Sequence, residues 1–482
     1  MINKRVIVLI LGVLLLIEAF FLFISAIVSA AYKGSDTQAF LLAGGITLLF
    51  GAVSYFSNRK ADKNIGKREG FLIVSLVWVV FSIFGALPFV ISQEIPSYTD
   101  AFFETISGFT TTGASILDDI ERMSMGLLFW RSLTQWLGGM GIIVLSLSIL
   151  PFLGIGGMQL FSAEVPGLTP DKLHPKVKET AKRLWAIYTL FTIAEFILLM
   201  LGGMGWFDAL NHSFTTMATG GYSTKQASIA HFDSPFIHYV IIAFMFIAGM
   251  NFSLSYFALH GKVSKIWKNE EFRYYFGFVA VFTLMIGFGL WVSENYGLEK
   301  SIRDAMFQVV SIVTTTGFAT NDYLMWSPSL TFGIFLLMFF GGSSGSTGGG
   351  IKIVRIVVVL KNSYYEVKRL MHPKAVIPIR LNHKIMTEKL VMNVLAFIVF
   401  YFLIFVFGVA IMSFLGLDLD TSMGAVAATL GNIGPGIGDV GPSENFAFIP
   451  DAGKWVLSLL MLLGRLELFT VLAILTPVFW RK

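Results

Sequence analysis

Ten apolar runs, each long enough to cross a bilayer core that needs about 20 helical residues, dominate this sequence. They cover residues 6–32, 39–57, 70–93, 126–152, 184–205, 235–259, 273–294, 327–360, 387–415 and 452–479. Lipid offers no partner for backbone N–H and C=O groups, so a chain of this kind has only helices or a closed barrel open to it. The run lengths select helices, and the expected class is an all-α membrane protein. Charged residues make up 13% of the 482, against about 25% in soluble domains, which agrees. The first run follows Asn3-Lys4-Arg5, the opening of a signal peptide. It continues to about Tyr32 with no small-residue cleavage site, so it reads as a retained transmembrane helix.

Basic residues set the expected orientation. Arg59, Lys60, Lys63, Lys67 and Arg68 fill one connection; Lys172, Lys176, Lys178, Lys182 and Arg183 fill the next alternate one. Lys262, Lys265, Lys268 and Arg273 follow, then Lys361, Lys368, Arg369, Lys374, Arg380, Lys384 and Lys389. The opposite connections carry Asp118, Asp119, Glu121, Asp233, Asp322, Asp439, Glu444 and Asp451. Both termini then lie in the cytoplasm. The net charge of +5 is spread over these short connections, a pattern of membrane topology and not of a nucleic-acid-binding face. With no cysteine in the chain, disulfides, thiol catalysis and zinc thiolate sites are excluded.

Between alternate spans lie four short segments, near 100–113, 208–221, 303–317 and 421–434, too short to cross and rich in Thr and Gly. The first runs from Asp100-Ala-Phe-Phe-Glu to Thr110-Thr111-Thr112-Gly113, the second from Asp208-Ala-Leu-Asn-His to Ala218-Thr219-Gly220-Gly221. The third runs from Asp304-Ala-Met-Phe-Gln to Thr314-Thr315-Thr316-Gly317; the fourth starts at Thr421 and ends Gly431-Asn432-Ile433-Gly434. Thirteen residues separate the first named position from the last glycine in each copy. This is a fourfold internal repeat with a degenerate last copy.

Each copy predicts a short helix capped by its Asp or by Thr421, entering from outside and aiming its C-terminal partial negative charge at the Thr/Gly stretch. Glycine lets the following backbone turn its carbonyls inward, and carbonyls replacing a hydration shell are how potassium is selected. One such copy alone also reads as a helix C-cap and turn. Four in register point to an ion path.

Gly341, Gly342, Ser343, Ser344, Gly345, Ser346, Thr347, Gly348, Gly349 and Gly350 interrupt the span starting near Ser327. Glycine costs about 1 kcal/mol relative to alanine in a helix, so this run is expected to leave helical structure below the third segment. It lacks the Gly-Lys-Ser/Thr ending of a phosphate-binding loop. Arg465 sits deep in the last span beside Glu467; at about 2.5–3.5 kcal/mol for a mid-membrane arginine, it needs water or a partner carboxylate. Glu104 and Asn251 read as network residues behind the Thr/Gly strips, and His212 as a packed histidine. No paired Asp or Ser/His set inside the spans supports an intramembrane enzyme.

These segments, with their endings Thr-Thr-Thr-Gly-Ala-Ser, Ala-Thr-Gly-Gly-Tyr-Ser, Thr-Thr-Thr-Gly-Phe-Ala and Gly-Asn-Ile-Gly-Pro-Gly, resemble the potassium-translocating subunits of the Trk/Ktr/HKT superfamily across essentially the whole chain. The two extra N-terminal spans and the Gly341–Gly350 run are closest to its bacterial TrkH branch. The resemblance implies four pseudo-symmetric span–pore loop–span repeats around one central pore: an N-terminal pair of helices at 1–69, then repeats at 70–157, 158–262, 263–386 and 387–482. It implies a potassium filter made of Thr110–Gly113, Ala218–Gly221, Thr314–Gly317 and Gly431–Gly434. It makes Gly341–Gly350 and Arg465 the gate on the cytoplasmic side. Sodium-preferring plant relatives tend to carry Ser at the first filter glycine, so Gly113 favours potassium, with a sodium-preferring HKT-like carrier as the alternative. The missing threonines of the second and fourth copies imply fewer well-defined ion sites than a strictly fourfold filter has. The family further implies a bacterial inner-membrane homodimer, K+ as the transported ion with no organic cofactor, and a cytoplasmic TrkA-like subunit binding NAD or ATP. The basic stretches at 158–183, 260–273 and 361–389 are its expected docking surfaces.

Overall fold

A computed structural model describes residues 2–62, 65–139, 141, 177–293, 296–375, 377–382 and 384–481. The second half of the expected fourth span and most of the basic stretch at 158–183 lie outside the described residues.

Among the described residues, six helices are long and apolar enough to cross a membrane: Lys4–Ala31, Thr37–Asn58, Arg68–Ile91, Thr180–Leu201, Glu270–Ser293 and Glu388–Phe414. Phe414 is 89% exposed and Leu201 74%, apolar surface that is stable only where lipid covers it. The first two spans form a hairpin, and Gly12 and Gly51 bring their backbones together: a Cβ at Gly12 would lie 2.8 Å from Ser54 Cβ. Small residues permit this approach where van der Waals packing, not water, drives helix association. Ser29 Oγ donates to Asp36 Oδ1 at 2.5 Å across the turn.

Three expected spans are not continuous helices. Residues 235–259 divide into Pro235–Ala248 and Phe252–Leu259, bent by 110°. Residues 452–479 divide into Asp451–Arg465 and Phe469–Leu475, bent by 120°. Residues 327–360 divide into Pro328–Leu337 and Ile353–Met371, separated by the Gly-rich run. The causes are local. Asn251 accepts a hydrogen bond from Ser253 N at 2.8 Å and caps a new helix, while Glu467 and Leu468 take positive φ, 53° and 58°. Hydropathy registers apolar length, and these breaks lie inside apolar sequence.

Between the spans stand four short helices, Tyr98–Phe109, Trp206–Met217, Leu298–Val313 and Leu419–Leu430. Their caps differ from expectation. Ser97 caps the first, and Gly205 and Gly297 precede the second and third. Asp100 and Asp208 fall in the first turn, where a carboxylate still complements the helix dipole, and Asp304 falls in the second turn. Asp418, not Thr421, caps the fourth by accepting from Thr421 N at 3.1 Å. Asp100 is instead held by Lys454 Nζ at 2.5 Å, which ties the first short helix to the last span.

The only strands among the described residues are a small antiparallel pair, Arg380–Leu381 with Lys384–Ile385. Several of the basic residues near it are already engaged: Lys361 pairs with Glu270, and Arg369 with Glu366.

Candidate functional site

All four short helices end in the same way. The third residue of each Thr/Gly strip donates its N–H to the carbonyl five residues back, Thr112 to Ser107, Gly220 to Thr215, Thr316 to Ser311 and Ile433 to Ala428, each at 2.8 Å. This is the Schellman closure of a helix C-terminus, so the bland reading of the motif is correct as far as it goes. The left-handed residue that such a closure requires is here Thr111, Thr219, Thr315 or Asn432, with φ between 53° and 58°. A threonine is strained there, and strain of this kind persists where surrounding structure enforces it.

The next residue but one is the glycine, again with positive φ: 83° at Gly113, 78° at Gly221, 81° at Gly317 and 104° at Gly434. A Cβ on Gly113 would run into the Gly220 carbonyl, one on Gly221 into that of Thr316, and one on Gly317 into that of Ile433. One on Gly434 would meet the Thr112 carbonyl, closing the circuit. The four strips therefore form a ring in chain order, each glycine against the carbonyl that precedes the next glycine. The ring opens into a cavity of about 80 Å³ lined by all four glycines together with Arg131, Lys225 and Glu444.

Polar side chains hold the ring from behind. Thr110 and Thr112 share a hydroxyl–hydroxyl bond of 2.8 Å, as do Thr314 and Thr316. Asn432 Nδ2 reaches Thr112 Oγ1 at 2.9 Å and ties the fourth strip to the first. The fifth residue of the repeat pins each of the first three short helices to the chain leaving its strip. Glu104 accepts from Ser115 Oγ and Ile116 N, His212 Nε2 lies 2.9 Å from Ser223 Oγ, and Gln308 donates to the Asn321 carbonyl. Glu104 also pairs with Arg131 Nε at 2.7 Å, with both side chains almost fully buried. His212 is a packed histidine, and no group of three metal-ligating side chains occurs among the described residues.

Directly under the ring lies the Gly-rich run, non-helical from Gly341 to Gly350. Gly349 N donates to Thr315 Oγ1 at 2.6 Å, and Thr347 Oγ1 donates to the Met217 carbonyl at 3.1 Å. A Cβ at Gly349 would lie 2.6 Å from the Gly431 carbonyl, so this run touches the bases of the second, third and fourth strips. Arg465 supplies the fourth side. Its Nη1 donates to Thr111 Oγ1 at 3.0 Å and to the Thr347 carbonyl at 2.7 Å, while Nη2 donates to the Gly138 carbonyl at 2.6 Å. Glu467 is paired with Arg355, and carbonyls and a hydroxyl at the ring's base hold Arg465.

A family model described as TrkH, cation transport protein, matches residues 36–478. The chain belongs to the TrkH family. It is 42% identical to the Trk system potassium uptake protein TrkH of Halomonas elongata, over the whole of both chains. It is likewise 42% identical to the protein of that name from Escherichia coli K12, over 99% of each. The crystal structure of the potassium transporter TrkH from Vibrio parahaemolyticus superimposes with a TM-score of 0.90 at 39% identity, covering all of both chains. As a TrkH-family member the chain is a multi-pass transport protein and not an enzyme.

Within this TrkH fold the sixteen strip residues named from sequence form one ring, and Gly341–Gly350 and Arg465 meet at its base. Glu104 stands behind the ring as expected. Asn251 does not: it lies below, at the break of a span, with Gly345 against its side chain. Sequence reading missed Arg131, which pairs with Glu104 behind the ring, and Gln135, which bonds the Gly220 carbonyl of the second strip. Arg131 was open to the reasoning applied to Arg465, since a charge inside an apolar span needs a partner. Gln135 left no such signal.

Proposed function

We propose that this chain is the potassium-translocating subunit of a Trk-type uptake system, with the four strips as its selectivity filter. The closed circuit from Gly113 to Gly434 carries the reading: four helix C-termini, each about half a negative charge, converge where glycine-released backbone can line a path for a dehydrated cation. Gly113 at the first filter position supports potassium over sodium, and the potassium uptake proteins to which the chain is similar at 42% identity support it further. The Gly341–Gly350 run and Arg465 are the gate, lying across the path at the ring's base.

The chain is then organised as a helical pair at 1–69 and pore repeats at 70–157, 158–262, 263–386 and 387–482. It sits in a bacterial inner membrane with both termini cytoplasmic. It works as a homodimer with a cytoplasmic TrkA-like subunit that binds NAD or ATP. One charge moved through 100 mV gains about 2.3 kcal/mol, so a gated passive pore suffices for roughly fifty-fold accumulation. The test is rubidium or potassium flux into liposomes containing the purified protein, with sodium as competitor. Potassium-selective flux is expected; liposomes that stay sealed with the regulatory subunit present, or that pass sodium preferentially, would reject the proposal.

A further inference from the structure

The four strips share one backbone but are not backed alike. In the first and third, hydroxyls of the first and third residues bond each other at 2.8 Å. In the fourth, a Cβ at Gly431 would meet Ile433 Cδ1 at 2.8 Å, so an apolar side chain fills the same space. The second strip has Ala218 and Gly220 there and can do neither. Its space is filled from outside the strip. A Cβ at Gly220 would fall on the carboxamide of Gln135, which belongs to the helix Met125–Gly139 of the preceding repeat.

That carboxamide is fully buried and uses both ends. Nε2 donates to the Gly220 carbonyl at 2.6 Å, and Oε1 accepts from Tyr222 N at 3.0 Å. The two bonds bracket Gly221. The Gly220 carbonyl is also the one against which Gly113 packs, so Gln135 fixes the seam between the first and second strips. Met245 and Met461 stand four residues before Gly249 and Arg465, as Gln135 stands before Gly139, and both are buried. Gln135 is thus the polar residue at this level that faces the strip with neither a threonine pair nor a side chain of its own in that space.

We propose that Gln135 is a positioning residue that determines cation selectivity, its carboxamide replacing for the second strip the threonine hydroxyl pair of the first and third. The proposal rests on the strips being the ion filter, and it adds a residue outside the repeat motif. An amide bonded at both ends resists small displacements of the Gly220 and Gly221 backbone, and those displacements decide whether the ring fits a larger or a smaller dehydrated ion.

The experiment compares potassium and sodium flux in liposomes for Gln135→Met, for Gln135→Ala, for Gln135→Ala with Ala218→Thr and Gly220→Thr, and for Gly113→Ser. Thr is compatible at both strip positions: Ala218 has φ −72°, close to −73° at Thr110, and Gly220 is not among the positive-φ positions. Losing a buried hydrogen bond of this kind predicts about a tenfold fall in potassium-over-sodium preference for Gln135→Met and Gln135→Ala. The triple variant restores most of it. Gly220→Thr alone, which places a side chain on Gln135, abolishes selective flux. If Gln135→Met does not assemble, the comparison of Gln135→Ala with the triple variant carries the same test. Unchanged selectivity in both Gln135 variants while Gly113→Ser loses it overturns the role of Gln135 and leaves the filter standing. Loss in Gln135→Ala with no recovery in the triple variant overturns the replacement idea. If Gly113→Ser is also unchanged, the filter assignment falls and this proposal with it.

Discussion

A few backbone positions carry most of the site's chemistry. Threonine in the left-handed region is costly, on the order of 1–3 kcal/mol, yet Thr111, Thr219 and Thr315 all adopt it. The Schellman bond on one side and the packed glycine on the other hold them there. Gly113→Ser puts a side chain at φ 83° onto the Gly220 carbonyl. Its predicted effect is an eroded preference for rubidium over sodium in competition flux; an unchanged ratio would remove this strip from the filter. Arg465→Ala empties the base of the ring of its guanidinium, and higher conductance in planar bilayers is expected. Normal conductance with a lowered melting temperature would make Arg465 a structural tie alone. Arg131→Met strands Glu104, 1% exposed, as an unpaired buried carboxylate, which predicts a loss of about 3–5 kcal/mol. Thermal unfolding in detergent reads this directly, and an unshifted transition would contradict the assigned pairing.

Among the elements, the broken spans matter most. The Gly341–Gly350 run bonds the third strip through Gly349 N to Thr315 Oγ1 and the residue before the second through Thr347 Oγ1 to the Met217 carbonyl, and it packs against Gly431 of the fourth. Glycine loses more conformational freedom on ordering than any other residue, so a run of this glycine content regains much of it when those contacts release. Deleting several of them is predicted to raise flux through reconstituted protein. Flux that fell or stayed level would mean that the run does not obstruct the path. The interruption at 341–350 was legible in the sequence because glycine is dense there. The breaks at Asn251 and at Glu467–Leu468 were not, since each is made by one cap or two unusual φ values inside an apolar stretch that hydropathy reads as continuous. The caps of the short helices were misplaced for a related reason: Asp100 suits a first turn as well as an N-cap, and Ser97 before it took the cap.

For the whole molecule, one geometric fact organises the rest: four segments separated by about a hundred residues each close a ring in chain order. Their common spacing and glycines make that ring legible in the sequence, including the degenerate fourth copy, whose backbone matches the other three despite Asn432 and Ile433. What holds the ring in place was less legible. Gln135 and Arg131 act from a neighbouring repeat, and no periodicity within the strips reports on them. The most direct measurement is anomalous diffraction from crystals soaked in rubidium or thallium. The account predicts density on the axis of the ring, between the carbonyls that precede Gly113, Gly221, Gly317 and Gly434. Density only outside the ring, or none on the axis at saturating ion, would contradict it.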